Sequence, residues 1–160
     1  MLRIKIVCIG KLKEPHLRDA CAEYCKRLSA FCRLEIDELT PARVPDAPSD
    51  AQIAALLTEE GERMLARIPS GAYVYAMCIE GKQRPSEQFS AELQKLAVGG
   101  VSSVCFLVGG SWGLAEAVKA RAQARLSMSK MTFPHQLARV MLLEQLYRAF
   151  EIGSGGKYHK

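Results

Sequence analysis

Short apolar segments recur along the chain and predict β-strands. Residues 73–79 and 102–108 are nearly unbroken apolar runs, which is typical of parallel strands that helices cover on both faces. Residues 2–9 and 33–39 mix apolar with polar positions and predict two further strands. Residues 126–131 predict a short last strand.

Between these strands, apolar residues return every three or four positions, which predicts helices. Ser49 or Asp50 is suited to cap the second of them, and the prolines of residues 40–49 predict a loop before it. The predicted helices cover residues 14–31, 50–67, 85–99, 114–124 and 134–152.

The regular order of strand and helix predicts an α/β fold, with a mainly parallel sheet and helices on both faces. A chain of 160 residues favours one domain over residues 1–160. Ligands of such sheets bind beyond the carboxyl ends of the strands. We therefore expect a site formed by residues 77–81, 108–113 and 127–133.

Composition narrows the class of protein. Hydrophobic residues make up 49% of the chain and charged residues 24%, as in globular proteins. No apolar run is long enough to span a bilayer, and the amino terminus lacks the layout of a signal peptide, so we expect a cytoplasmic protein without a membrane partner. The six cysteines include no C-x-x-C pair, and we expect buried thiols rather than disulfides or a zinc site.

The net charge of +5 is unevenly distributed. From Lys119 to the end, eight basic residues face only two acidic ones, Glu144 and Glu151. A basic region of this kind indicates a polyanionic partner, and a solvated helix face is the alternative interpretation.

A glycine-rich loop, Gly-Gly-Ser-Trp-Gly, follows the apolar run that ends at Val108. Glycines there permit positive φ angles and close approach of the backbone to a ligand. The spacing is not G-x-G-x-x-G, and no acidic residue stands about 20 positions further on to hold a ribose. The loop is therefore a weak signal, equally consistent with a plain tight turn.

The segment of residues 126–136 combines Ser and Thr hydroxyls with Pro134 and His135 ahead of a long helix. Backbone groups here and the free N–H groups of the helix start are suited to hold a small ligand. The alternative is a capping segment in which Thr132 is the N-cap residue.

The last helix is apolar around more than one face, which predicts burial against more than one surface. A second copy of the chain would supply that surface, so we expect a homodimer. The three histidines form no H-E-x-x-H pattern and no G-x-S-x-G elbow is present, which disfavours metal and serine-nucleophile chemistry.

Two motifs together resemble a known family. V-G-G-S-x-G-L is followed by L-S-M-S-K-M-T-F-P-H-Q-L-x-R-V-x-L-x-E-Q-L-Y-R-A, and the chain ends in K-Y-H-K. This combination, with I-x-x-I-G-K-L-K near the start and E-G-E-R-M-L further on, resembles the RlmH family of SPOUT-class methyltransferases, which methylate N3 of a pseudouridine in 23S ribosomal RNA. The resemblance spans essentially the whole chain.

The resemblance implies a trefoil α/β knot of the SPOUT type, a homodimer, S-adenosyl-L-methionine as cofactor, and a large ribosomal subunit or assembled ribosome as partner. The cofactor-binding residues that it implies are Met77, Gly109, Met128, Ser129, Lys130, Met131, Thr132 and Phe133. The catalytic and RNA-contacting residues that it implies are His135, Arg139, Tyr158 and His159. No metal ion is expected.

Several roles remain open on the sequence alone. Tyr158 or Trp112 is suited to stack on a base, and Trp112 departs from the small or polar residue expected there. The proton acceptor for N3 is one of His135, His159, Glu144 or a water molecule. The tail follows a glycine-rich stretch and is expected to be loose until RNA binds.

Three other functions fit parts of the sequence. A SPOUT methyltransferase for another RNA, such as transfer RNA, would use the same cofactor loops. A non-catalytic RNA-binding module would need the basic region alone. A nicotinamide oxidoreductase fits an α/β sheet but lacks the acidic residue that holds the ribose.

Overall fold

The computed structural model describes all 160 residues. The chain contains one five-stranded sheet. The strands are β1 (Arg3–Ile9), β2 (Arg33–Leu39), β3 (Tyr73–Gln83), β4 (Ser103–Val108) and β5 (Ala124–Ser127). They lie in the order β2-β1-β4-β3-β5, and every neighbouring pair is parallel. The predicted α/β class with a parallel sheet is confirmed.

Five helices cover the sheet, namely α1 (Pro15–Leu28), α2 (Asp50–Leu65), α3 (Ser86–Val98), α4 (Glu116–Arg121) and α5 (His135–Gly153). Alternate residues of β4 point to opposite faces: Val104 and Phe106 pack with α1, α3 and α5, whereas Cys105 and Leu107 pack with α2 and α4. This alternation buries both faces. The knot implied by the family resemblance stays a prediction.

The second helix begins as predicted. The Ser49 hydroxyl accepts the N–H of Gln52 at 3.2 Å, and the Gln52 side chain accepts the N–H of Ser49 at 2.8 Å. This reciprocal capping box satisfies two of the donors that every helix start leaves free.

The last strand differs from its prediction over residues 126–131. It ends at Ser127, whose hydroxyl turns to donate to the carbonyl of Ser129 at 3.0 Å. The hydroxyl of Ser129 then accepts the N–H of Met131 at 3.0 Å, so local hydrogen bonds replace the sheet ladder. Thr132 is not the N-cap of α5, which begins after Pro134.

β3 continues beyond its predicted end at Ile79 through a bulge. Both Met77 and Lys82 are in register with Leu126 of β5, so residues 78–81 leave the ladder. A Cβ at Gly81 would lie 2.8 Å from the carbonyl carbon of Arg125, and only glycine permits this contact. The bulge places residues 78–81 at the end of the sheet, and bulges are common beside functional sites.

All six cysteines are free. Cys8 and Cys105 are buried in strands as predicted, and burial raises the pKa of each thiol to about 12. Cys78, predicted as a buried strand residue, is half-buried because it lies in the β3 bulge. No helix is both long and apolar enough to cross a membrane.

Candidate active site

A cavity of about 810 Å³ opens at the carboxyl ends of β3 and β4, beside the segment that follows β5. This is the edge at which the sequence predicted a site. Three segments form most of its wall: the β3 bulge, the glycine loop of residues 109–113, and residues 128–135. Twelve of its 22 lining residues are hydrophobic, a balance suited to a ligand with a flat apolar part and a few polar groups.

The glycine loop is a tight turn and a cavity wall at once. The N–H of Gly113 donates to the carbonyl of Gly110 at 3.1 Å, and Gly113 has a φ of 80°. A Cβ at Gly109 would overlap the carbonyl of Gly113, so a valine at 109 would disturb the loop itself. The turn leaves Ser111 and Trp112 exposed at the mouth of the cavity.

The β3 bulge places an acid–base pair on the rim. The Glu80 carboxylate is paired with the ammonium of Lys119, which also contacts Glu116 at 3.2 Å. Hydrogen bonding to Lys119 lowers the pKa of Glu80, and the same contact raises the pKa of Lys119. The pair ties the bulge to α4 across the cavity mouth.

Seven of the eight predicted cofactor residues line the cavity: Met77, Gly109, Met128, Ser129, Met131, Thr132 and Phe133. Lys130 is not among the lining residues and is exposed. The hydroxyl-rich segment and the glycine loop, which are apart in sequence, therefore face one space.

His135 is the one predicted catalytic residue that lines the cavity. Burial, and then the positive charge of Arg139, lower its pKa below the ordinary value of 6.5. The imidazole is therefore neutral at pH 7, which leaves one ring nitrogen free to accept a proton.

Arg139, expected near the RNA, is buried with 2% of its surface exposed. Its guanidinium donates to Glu38 Oε2 at 2.6 Å and to the carbonyl of Gly10 at 2.7 Å. Gly10 follows β1 and Glu38 lies near the end of β2, at the same edge of the sheet, so Arg139 joins α5 to the carboxyl ends of these two strands. Its donors face the interior of the chain rather than a partner.

The tail is more firmly held than the sequence suggested. The Tyr158 hydroxyl donates to Glu144 Oε1 at 3.1 Å, and its ring lies edge-on to Tyr147, with centroids 4.8 Å apart. His159 contacts Arg148 Nη1 at 3.1 Å and Glu87 Oε1 at 2.7 Å. Burial raises the pKa of Tyr158 to about 12. Tyr158 and His159 thus lie against α5 and α3 of their own chain, outside the cavity.

Ion pairs within the chain also reduce the number of basic residues that the region from Lys119 to the end can offer to a partner. Lys119, Arg139 and Arg148 are paired with carboxylates of the same chain. In the region from Lys119 to the end, the basic residues that remain exposed and form no ion pair are Arg121, Arg125, Lys130, Lys157 and Lys160. Within this region, these five are the groups available to a polyanion.

Sequence reasoning missed the rim pair of Glu80 and Lys119, and it missed Glu60. One signal was present for Glu60: it stands four residues from both Leu56 and Met64, on the face of α2 that is buried. An acidic residue at a core position of a helix indicates a specific polar contact. No group of three or more His, Cys, Asp or Glu side chains is placed to hold a metal ion.

Comparisons with known proteins identify the family of this chain. The sequence profile of a family described as predicted SPOUT methyltransferase matches residues 2–159. The protein named ribosomal RNA large subunit methyltransferase H in Leuconostoc mesenteroides is 48% identical over 159 residues, which cover 99% of this chain and 100% of that protein. The protein of the same name in Streptococcus thermophilus is also 48% identical, with the same coverage.

Among solved structures, a probable methylase family protein from Haemophilus influenzae superimposes with a TM-score of 0.55 at 14% sequence identity. The match covers 100% of this chain and 72% of that protein. At this identity the likeness concerns the fold alone.

Proposed function

Because this chain belongs to the SPOUT methyltransferase family, we propose that it transfers a methyl group from S-adenosyl-L-methionine to N3 of a pseudouridine in 23S ribosomal RNA of the large subunit. The observation that carries this proposal is the cavity at the strand ends, whose walls are the glycine loop, the β3 bulge and residues 128–135. The enzyme would act in the cytoplasm, where ribosomes are found.

The residues of the cavity fit S-adenosyl-L-methionine. Its volume of about 810 Å³ lies within the range of roughly 300–1,000 Å³ that small-molecule sites span. Met77, Leu126 and Phe133 offer apolar walls for adenine, and the backbone of the glycine loop is bare enough to approach polar atoms of the ligand. Glu80 on the rim offers a carboxylate to the positively charged end of the cofactor.

When bound, the cofactor would supply an activated methyl group on a sulfonium sulfur, with a neutral thioether as the by-product of its transfer. The proton on N3 of the pseudouridine must also be removed. Neutral His135 is the residue of the cavity wall best suited to accept it. Arg139 lies one turn after His135 on α5. By holding α5 against Gly10 and Glu38, Arg139 would position His135.

Contact with RNA would come from two groups of residues. The exposed cations Arg121, Arg125, Lys130, Lys157 and Lys160 would neutralise phosphates. Tyr158 and His159 of the tail, and Trp112 at the cavity mouth, would contact the looped-out nucleotide by stacking and hydrogen bonding. The tail would have to leave Glu144 and Glu87 to do so.

A homodimer is part of the proposal. α5 buries Leu142, Leu143 and Leu146 within the chain, whereas Val140 and Met141 remain half-exposed. They line a groove of about 720 Å³ between α1 and α3, and Leu126, Met128 and Ser129 line both this groove and the cavity. A second subunit in the groove would therefore also support the cofactor site. Sedimentation at micromolar concentration should show a dimer, and a stable monomer would contradict it.

The substrate is tested by transfer of a tritiated methyl group to assembled ribosomes, to large subunits, to free 23S RNA and to transfer RNA. We expect incorporation into 23S RNA at N3 of a pseudouridine, located by nuclease digestion and mass spectrometry. Incorporation into transfer RNA alone would favour a SPOUT enzyme of different substrate. No incorporation, with RNA binding retained, would favour a binding module.

The cofactor site is tested by filling the cavity from a helix rather than from the glycine loop. Ala138 of α5 lines the cavity, so Ala138→Phe should abolish calorimetric binding of S-adenosylhomocysteine. Ala120 is exposed on α4, and Ala120→Phe is the matched control that should bind normally. Full binding by Ala138→Phe would move the cofactor elsewhere.

A further inference from the structure

A second, smaller pocket lies beside the cofactor cavity. It has a volume of about 120 Å³ and shares Gly110, Ser111, Trp112 and His135 with the cavity. Apolar side chains of β1, of the loop after β2 and of α2 form the rest of its wall, and Glu60 is its one carboxylate. We call it the side pocket.

Glu60 has an unused hydrogen-bond acceptor in the side pocket. Its side chain is buried, with 5% of the residue exposed, and its Oε2 accepts the N–H of Ala42 at 2.9 Å. Oε1 accepts no hydrogen bond and lies 4.0 Å from the place that a Cβ of Gly110 would occupy. This free oxygen can accept a hydrogen bond from a ligand that donates an N–H into the side pocket.

The Glu60 residue is largely shielded from solvent. Burial raises the pKa of its carboxyl group above the ordinary value, because the charged form loses hydration there. A hydrogen bond in such a site discriminates between ligands more strongly than one in open solvent.

The volume limits the ligand to a single ring. An engineered protein cavity of roughly 150 Å³ holds one benzene molecule, and the side pocket is slightly smaller at about 120 Å³. Because the side pocket is open on one side, it can hold one six-membered ring that is partly enclosed, whereas the two fused rings of a purine are too large for it. Trp112 and His135, which line both spaces, would flank that ring where the side pocket meets the cavity.

We propose that the side pocket receives the target base, and that Glu60 Oε1 accepts its N1–H and so distinguishes pseudouridine from uridine. This inference rests on the proposed function. A pseudouridine ring has two N–H groups, at N1 and N3, whereas uridine has only N3–H because its N1 carries the ribose. With N3 directed toward the methyl donor, N1–H remains free to donate to Glu60.

The first test measures methyl transfer to ribosomes that carry pseudouridine or uridine at the target position. In Glu60→Gln, the amide oxygen can accept the Ala42 N–H, which leaves the amide NH₂ facing the base. We expect kcat/KM on pseudouridine ribosomes to fall about 10- to 100-fold, with the slow reaction on uridine ribosomes unchanged. Glu59→Gln changes the same charge at an exposed neighbour and should keep the full preference.

A second variant fills the side pocket without touching Glu60. Val44 lines it from the loop after β2, whereas Ala47 of the same loop is exposed. Val44→Phe should block methyl transfer while S-adenosylhomocysteine binding is retained, and Ala47→Phe should have no effect. This pair decides the matter if Glu60→Gln does not fold.

The outcomes separate the two proposals. An unchanged pseudouridine preference in Glu60→Gln, or full activity in Val44→Phe, overturns the role of the side pocket and leaves the proposed function standing. Equal rates of the unaltered enzyme on both ribosomes overturn the discrimination. Failure of the unaltered enzyme to methylate either ribosome overturns the proposed function, and with it this inference.

Discussion

The two ends of α5 carry similar residues in contrasting environments. At its start, His135 and Arg139 are packed against the loops after β1 and β2, and Arg139 is 2% exposed. Beyond its end, Tyr158 and His159 lie on the outside of α5 and α3, held by Glu144, Arg148 and Glu87. From the sequence, both ends were expected to contact RNA.

The difference shows that a basic or aromatic residue type does not by itself reveal its partner. A buried guanidinium with two internal acceptors contributes to the fold, because losing it would leave those acceptors unpaired. A part-buried cluster on the surface contributes less to stability than a buried pair, and its contacts can be exchanged for those of another partner. Substitutions at the start of α5 should therefore change the rate of methyl transfer and the free energy of unfolding. Substitutions in the tail should instead change contact with RNA.

The largest expected effect is on chemistry at the start of α5. His135→Gln should lower the methyl-transfer rate by about 100- to 10,000-fold, the usual contribution of a general base, with S-adenosylhomocysteine binding unchanged. The unaltered enzyme should lose activity only as the pH falls below about 6.5, since the pKa of His135 is lowered. A rate profile with the same acid limb in both proteins would show that another group accepts the proton.

The lowered pKa of His135 also makes the stability of the fold depend on pH. The folded chain binds a proton at His135 less readily than the unfolded chain does, so this contribution to stability is present above pH 6.5 and is lost as the pH falls toward the folded pKa. Denaturant unfolding should show a shallower loss of stability below pH 6.5 in His135→Gln.

The next effect is on the free energy of unfolding. Arg139→Met should lower it by about 3 kcal/mol, because Glu38 and the carbonyl of Gly10 lose their buried donor. Arg121→Met, at an exposed and unpaired position, should change it by less than about 0.5 kcal/mol. If Arg139→Met unfolded normally but failed to bind ribosomes, Arg139 would act on the RNA directly.

A smaller effect is expected at the tail. Deleting residues 158–160 should reduce methyl transfer about 10- to 100-fold, since one stacking contact is worth about 1–3 kcal/mol. Cofactor affinity and the dimer should be nearly unchanged, because Tyr158 and His159 lie outside the cavity. Deleting Lys160 alone is the control. Full activity of the longer deletion would assign the tail to the surface of α5 and nothing more.

The smallest effect is expected at two exposed lysines, one near each end of α5. Lys130→Gln and Lys157→Gln should each reduce the salt dependence of ribosome binding, by about 0.7–0.9 in the slope of log affinity against log salt concentration. An effect of Lys130→Gln alone would mean that RNA approaches from the cavity mouth without reaching the tail.

Much of the fold was predictable because local pattern and burial agree. β2 was predicted at its observed bounds, and the Ser49 cap and the apolar β4 were also predicted correctly. Predictions were weaker where a distant contact decides the structure. The β3 bulge depends on the close approach of β5 at Gly81, which no pattern within β3 indicates.

The sequence determined the segments of the candidate site. It also determined the family, and the comparisons confirm the family. Strand ends predicted the three segments, because the carboxyl ends of parallel strands meet at one edge, and the family resemblance named seven residues that line the cavity. The tertiary structure alone decided which charges remain free. Arg139, Lys119 and Glu60 are 101, 39 and 18 residues from Glu38, Glu80 and Ala42, their respective partners. Pairing and burial over such separations depend on how the elements pack in space, and residue type along the chain does not encode them.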